Sequence, residues 1–212
     1  MAAPLEETPD VRTRLVLAAA KLLAEGGPGG VSVRRVAAEI GTSTMAVYTH
    51  FGGKPELLRA VSVEGFRHLA ARLAEVEATD DPVADIAALG RAYRRSALDD
   101  PHLFAAMFGR NVAEVLVDDD DRTEALATFI TIVDAVQRAI DAGRFDPTPA
   151  DLLALELWCG IHGLCCIELG AGLNPPDQAP SALASLTRRM AIGAGDDPAR
   201  ATASIPVPGH NT

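Results

Sequence analysis

Apolar residues recur at three- and four-residue spacing through nearly the whole chain, and no segment sustains the two-residue alternation of a half-buried strand. The chain therefore reads as all-α. Helix starts are marked by a capping residue followed by proline at Thr8-Pro9, Asp81-Pro82, Asp100-Pro101 and Thr148-Pro149, where the missing N–H costs nothing in a first turn. Gly26-Gly27, Gly143 and Gly170 mark helix ends. The spacing predicts a first helix over 9–25, with Val11, Leu15, Ala18, Leu22 and Leu23 on one stripe. A short second helix capped by Ser32 carries Val33, Val36, Ala37 and Ile40 and stops at Gly41. Ser43 caps a third helix over 44–49. A fourth starts at Lys54-Pro55 and continues through Leu58, Val61, Leu69, Leu73 and Val76. Further helices are expected near 82–98, 101–110, 120–142, 149–170 and 181–192.

At 212 residues and 48% hydrophobic content the chain can bury a sizeable core. No run of about 18 apolar residues stands out, and the first ten residues, MAAPLEETPD, are acidic rather than basic and then apolar. Three cysteines, all between Cys159 and Cys166, make a poor disulfide framework and fit a reducing cytoplasm. The net charge of −10 disfavours a polyanion partner only if it is taken as a single total. Residues 1–64 hold seven Lys/Arg and seven Asp/Glu, whereas residues 65–212 hold twelve against twenty-two. An N-terminal module can thus approach an anion that the remainder repels.

The stretch GTSTMAVYTHFGGKPEL, from Gly41 to Leu57, sits where that approach would occur. Two short helices joined at a glycine and packed on a longer first helix form a helix-turn-helix, whose second short helix enters the DNA major groove. Val47 and Phe51 fall on its inner side, leaving Thr42, Ser43, Thr44, Met45 and Thr49 to face outward. Hydroxyls address base edges and phosphates, and thioether or methyl groups meet thymine methyls. Lys54, beside the free amides of a helix start, makes an anion site suited to phosphate. Tyr48 and His50 add polar tips. Ser32, Arg34 and Arg12, each near the start of a helix, are in reach of the flanking backbone.

Residues 11–58, from VRTRLVLAAAKLLAEGG through VSVRRVAAEIGTSTMAVYTHFGGKPELL, resemble the N-terminal DNA-binding domain of the TetR family of bacterial transcriptional regulators. The resemblance rests on the Ala-Ala and closing Gly of the first helix, on Val36-Ala37 followed by Gly41, and on Ser43, Tyr48, His50, Phe51, Lys54 and Leu57 in register. It implies backbone contacts by Ser43, Tyr48, His50 and Lys54, with Thr44 and Met45 toward the bases. Thr42, Met45 and Thr49 depart from the usual family residues, which bears on the operator sequence. The segment LWCGIHGL, residues 157–164, is similar to a Trp-His-Gly motif of one class of C-terminal domain in the same family. That resemblance implies a small-molecule effector bound between helices and a homodimer built through about 149–170 and 181–192.

The helix over 149–170 is apolar nearly all round and is expected to be buried on most sides. A pocket beside it would be lined by Phe104, Met107, Phe108, Trp158 and His162, since sites between helices are mostly apolar with few polar groups. Cys159, His162 and Cys166 share one helical face and could form a soft-metal or redox set, although one helix rarely closes a four-ligand shell. The run Asp118 to Asp121 suits a helix start, where the dipole favours carboxylates, better than a calcium loop, which needs spaced ligands and a terminal Glu. No segment offers an oxyanion site, a phosphate loop or an orienting acid, so no catalysis and no cofactor is expected.

The expected protein is an all-α homodimeric repressor, with a helix-turn-helix domain at 8–56, an effector domain at 57–195 and a disordered tail at 196–212. Its partners would be an inverted-repeat DNA operator and a small molecule, without a membrane. A metal- or thiol-sensing regulator of the same fold is one alternative. A helical ligand-binding protein or enzyme that does not touch DNA is the other.

Overall fold

A computed structural model describes residues 10–108, 119–170 and 178–208. Among these residues the chain forms ten helices and no strand: α1 Val11–Gly30, α2 Val33–Glu39, α3 Thr44–Phe51, α4 Lys54–Ala74, α5 Pro82–Asp99, α6 Pro101–Met107, α7 Asp119–Asp141, α8 Ala150–Gly170, α9 Ala179–Gly193 and α10 Pro198–Ser204. They divide into two compact units. The first comprises Met1–Phe66 with His102–Arg122, the second Arg67–Pro101 with Thr123–Thr212. The division falls inside α4 rather than near residue 56.

In the first unit α1 packs on α2 and α2 on α3, around a core of Leu15, Val16, Ala19, Val36, Val47, Leu57 and Val61. Asp10 caps α1 by accepting from the Thr13 amide at 2.7 Å, and Ser32 caps α2 by accepting from the Arg35 amide at 3.3 Å. Gly27, at φ 62° and ψ −172°, interrupts α1, so the helix expected to stop near residue 25 resumes for one further turn at Pro28. Helix α6 belongs here too, with Leu103 and Ala106 buried in the same core. It docks closely because residue 65 is glycine: a Cβ there would overlap the Met107 side chain. The apolar face of α6 thus packs into the helix-turn-helix core, so α6 shares the compact unit of the first four helices.

In the second unit α5, α8 and α9 pack on one another, and α10 lies on α5 and α9. Gly90 of α5 admits Ile161 of α8, and Gly160 of α8 admits Leu186 and Met190 of α9. A cluster of charges ties the chain together at one end. Buried Arg144 donates from Nε and Nη2 to the two carboxylate oxygens of buried Asp196, each at 2.7 Å, and from Nη1 to Asp81 at 2.8 Å. Ser204 of α10 accepts from Arg144 at 2.9 Å and donates to Asp81 at 2.6 Å. A second node joins Asp85 to the Thr79 hydroxyl at 2.7 Å and Arg138 at 2.9 Å.

This first cluster overturns the expectation of a disordered tail from residue 196. Asp197 caps α10 through the amides of Ala199 and Arg200, and Ala201 and Ile205 are buried. The segment is ordered by a buried ion pair and two apolar anchors, too few for a sequence periodicity to register. Residues 209–212 of the expected tail and Asp118 lie outside the described residues.

Helix α8 is also less buried than expected. Leu153, Ala154, Leu157, Ile161 and Cys165 face inward, while Leu152, Leu155 and Ile167 are about half exposed on the other side. By length and composition alone this helix is apolar enough to cross a membrane, with a mean hydropathy of 1.6, which a search for uninterrupted apolar runs does not reveal.

Candidate functional site

The turn before α3 is made by Gly41 at φ 68°, a left-handed backbone that a side chain would strain. Its amide and that of Thr42 return to the carbonyls of Ala38 and Ala37 at 3.2 and 2.9 Å, closing α2. Arg14 of α1 donates to the Ile40 carbonyl at 3.0 Å, so the first helix holds this turn by a charged hydrogen bond as well as by packing. Gly52, at φ 76°, ends α3 with its amide on the Tyr48 carbonyl at 2.8 Å.

Between these glycines Val47 is fully buried and Phe51 nearly so, which fixes the rotation of α3. The opposite face is bare. Ser43, Thr44, Met45, Tyr48, Thr49 and His50 are exposed, Met45 by 68% and Tyr48 by 53%, and Thr42 is half-buried. Such exposure of a methionine and a tyrosine on one short helix is the reverse of what folding alone would select. Ser43 occupies the N-cap of α3 but makes no capping bond with its side chain, so its hydroxyl is not spent on the helix as the sequence suggested. Ser32 and Arg34, at the start of α2, are exposed. The Arg12 guanidinium lies 5.5 Å from the Phe51 ring centre, a cation–π contact that steadies it beside α3. Lys54 begins α4, and its amine donates to the Pro28 carbonyl at 2.7 Å.

In the second unit, α8 presents Trp158 and His162 beside Tyr93 of α5 and Phe129 of α7. The Trp158 N–H donates to the Tyr93 oxygen at 3.2 Å, and the Tyr93 hydroxyl lies 2.9 Å from His162 Nδ1. Burial pushes the His162 pKa down, favouring the neutral ring, and pushes the Tyr93 phenol up. A neutral ring that accepts from Tyr93 at Nδ1 carries its proton on Nε2, which faces Cys166 Sγ at 3.3 Å. Cys165 is buried, its thiol pushed up to about 12 by desolvation, and is chemically quiet. Cys159 is exposed, and among the described residues no group of three or more His, Cys, Asp or Glu gathers where a metal could be held. The five residues expected to line one pocket are thus divided. Phe104, Met107 and Phe108 lie in the first unit, where Phe108 stacks edge-on against Phe66 and Phe104, and Trp158 and His162 lie in the second.

Residues 15–61 match the profile of bacterial regulatory proteins of the tetR family, and residues 86–190 match that of tetracyclin repressor-like C-terminal domains. The chain belongs to the TetR family. HTH-type transcriptional regulators of Mycobacterium tuberculosis and Mycobacterium bovis are 31% identical to it over 138 residues. That stretch is 63% of this chain, and the chain spans 57% of the length of these curated relatives. A solved Rhodococcus protein of unknown function is 27% identical and superposes with a TM-score of 0.73, covering 92% of this chain and 100% of its own. A TetR family transcriptional regulator from Thermus thermophilus shares the fold at a TM-score of 0.71 and 20% identity, over 84% of this chain and 97% of its own.

All the DNA-facing candidates except Arg12 fall within the first TetR match, and all the pocket candidates fall within the second. Sequence reasoning missed Arg14 and Arg35, which secure the ends of this TetR-type motif by donating to the Ile40 and Gly30 carbonyls. It also missed Tyr93, through which Trp158 and His162 are joined. The available signal was that Tyr93 is one of only two tyrosines and sits in a helix otherwise rich in alanine and arginine.

Proposed function

We propose that the chain is a DNA-binding transcriptional repressor that binds an inverted-repeat operator as a homodimer and is released by a small molecule. The observation that carries this reading is the bare face of α3: side chains suited to base edges and phosphates stand exposed above the fully buried Val47. Thr44 and Met45 read bases, with Thr42 and Thr49 beside them. Ser43, Tyr48, His50 and Lys54 hold the phosphate backbone, helped by Arg12, Ser32 and Arg34 at its flanks. Lys54 already donates to a carbonyl, and an ammonium retains further N–H groups for a phosphate. The acidic second unit carries no DNA contact in this reading. It acts in the cytoplasm and catalyses nothing.

The effector is an apolar molecule with few polar groups, sensed at Trp158 and His162 of the second unit. Trp158 is the sole tryptophan, so its emission reports on this site alone. Binding of the parent chain to the DNA flanking its own gene, measured by mobility shift at several salt concentrations, tests the reading. An inverted repeat bound with a steep salt dependence is expected. Equal affinity for unrelated DNA, unchanged when Thr44 and Met45 are both replaced by alanine, would leave no sequence reader on α3. An effector that moves Trp158 emission should release operator, and operator should weaken effector binding by the same factor, about five- to 150-fold.

A further inference from the structure

Two cations of the first unit are held by one short turn. The segment from Gly26 to Gly30 reads GGPGG, and its carbonyls serve side chains from two other helices. Pro28 accepts from the Lys54 amine at 2.7 Å, and Gly30 accepts from Nη1 of Arg35 at 2.5 Å. Lys54 opens α4 and Arg35 lies in the first turn of α2, so both helices are pinned to the same stretch of backbone. The two carbonyls are two residues apart, which bounds their separation at about 7 Å and that of the two donor nitrogens at about 12 Å. Phosphates of one DNA strand recur every ~3.4 Å along the helix axis, so both cations fit over a few successive phosphates.

A carbonyl orients a cation without discharging it. Arg35 is exposed, and among the described residues it forms no ion pair. Glu39, one turn along α2, lies within the reach of its charge but is engaged by Lys21 at 2.5 Å. Most of the N–H donors of the Arg35 guanidinium therefore remain for another acceptor. The turn itself leaves room for one. Gly27 is required by its φ of 62°, but Gly26 and Gly29 have ordinary backbone, are exposed, and would meet nothing within 4 Å if given a Cβ. Glycine at those two positions lowers helix propensity with no packing gain, and what it provides is bare backbone that a bulky anion can approach.

We propose that Arg35 is a further phosphate-contact residue, paired with Lys54 on the Gly26–Gly30 turn, whose carbonyls set the spacing of the two cations. This deepens the DNA binding of the proposed function and rests on it. The pair adds affinity for any duplex, whereas Thr44 and Met45 distinguish one sequence from another.

Arg35→Gln separates the two roles of this side chain, because a glutamine amide can still donate to the Gly30 carbonyl but carries no charge. Binding of the full chain to its operator and to unrelated DNA, followed from about 50 to 200 mM salt, gives the readout. Each phosphate contact removed should shrink the affinity lost over that range by about 3.5-fold. Arg35→Gln and Arg35→Ala should each do so for every sequence alike, with the urea midpoint of Arg35→Gln at the parent value. Arg35→Lys should restore the parent salt dependence. Arg35→Gln combined with Lys54→Ala should show the loss twice, about 12-fold. A salt dependence unchanged in Arg35→Gln overturns the contact and leaves Arg35 as a brace of the turn alone. A parent chain with no salt-dependent preference for an operator overturns the DNA-binding reading itself.

Discussion

The two units of this chain treat their polar groups in opposite ways. In the first, Thr44, Tyr48 and Thr49 have no side-chain hydrogen bond among the described residues, and they stand on a helix anchored by Val47, Phe51 and the backbone turn at Gly41. In the second, Arg144, Asp196, Asp81 and Ser204 are committed to one another, as are Tyr93, Trp158 and His162. Free polar groups await a partner, whereas paired ones define a shape. In the proposed function the unpaired groups of the first unit serve DNA contact, while the paired groups of the second fix its shape.

The contrast breaks most severely at Arg144. Replacing it with alanine strands the carboxylate of Asp196, whose side chain is fully buried, and should cost about 3–5 kcal/mol. The urea midpoint should fall accordingly. A loss under about 1 kcal/mol would mean that water satisfies Asp196 and that the cluster does not anchor the unit.

On the opposite side, Thr44→Ala and Met45→Ala should leave the urea midpoint within about 0.5 kcal/mol of the parent, as surface changes do. Each should shift discrimination by about 1–3 kcal/mol at one operator position, read by competition between single-base variants. A comparable loss of stability would show that the bare face of α3 is also structural.

Acid should separate the units next. Burial raises the Asp85 pKa, but the Thr79 hydroxyl and amide and the Arg138 guanidinium outweigh it and hold the carboxyl below its ordinary 3.8. Its contribution to stability is complete above that value and drains away as pH falls through the lower folded value. Asp81 behaves alike, with burial opposed by Ser204, the α5 amides and Arg144. Urea midpoints followed downward from about pH 5 should drop, and Asp85→Asn should flatten that fall. A profile that Asp85→Asn leaves unaltered would place the acid sensitivity elsewhere. The smallest effect belongs to Lys54→Ala, which should lower the log–log salt slope of operator binding by about 1 for every sequence alike. An unchanged slope would leave the Lys54 amine to its Pro28 carbonyl alone.

What the sequence could reveal follows the same line. The recognition helix is set by local rules, a glycine at each end and two inward apolar residues four apart, and all of these lie within Gly41 to Gly52. The paired groups of the second unit are not local, because Arg144 meets partners 52, 60 and 63 residues away, and no spacing rule reaches that far. Helix α10 is an intermediate case. Asp197-Pro198 has the same start signature as Asp81-Pro82, but only Ala201 and Ile205 supply apolar anchors beyond it, too few to mark a helical stripe. The division of the chain was hidden for another reason. The pattern of α6 declares an apolar face, but only the vacancy at Gly65 determines that Met107 packs there.

The span of that charged cluster also sets a timetable for synthesis. Asp196 follows Arg144 by 52 residues and Ser204 follows it by 60. At about 5–20 residues per second, the guanidinium waits roughly 3–10 s on the ribosome, with Asp81 already made, before Asp196 follows. Until then Arg144 has only Asp81 of its cluster, and the packing of α9 and α10 on α5 cannot form. The second unit therefore completes its packing only once its last two helices have been made. Slower decoding between residues 144 and 196 should lengthen that wait and lower the yield of folded protein without changing a single amino acid.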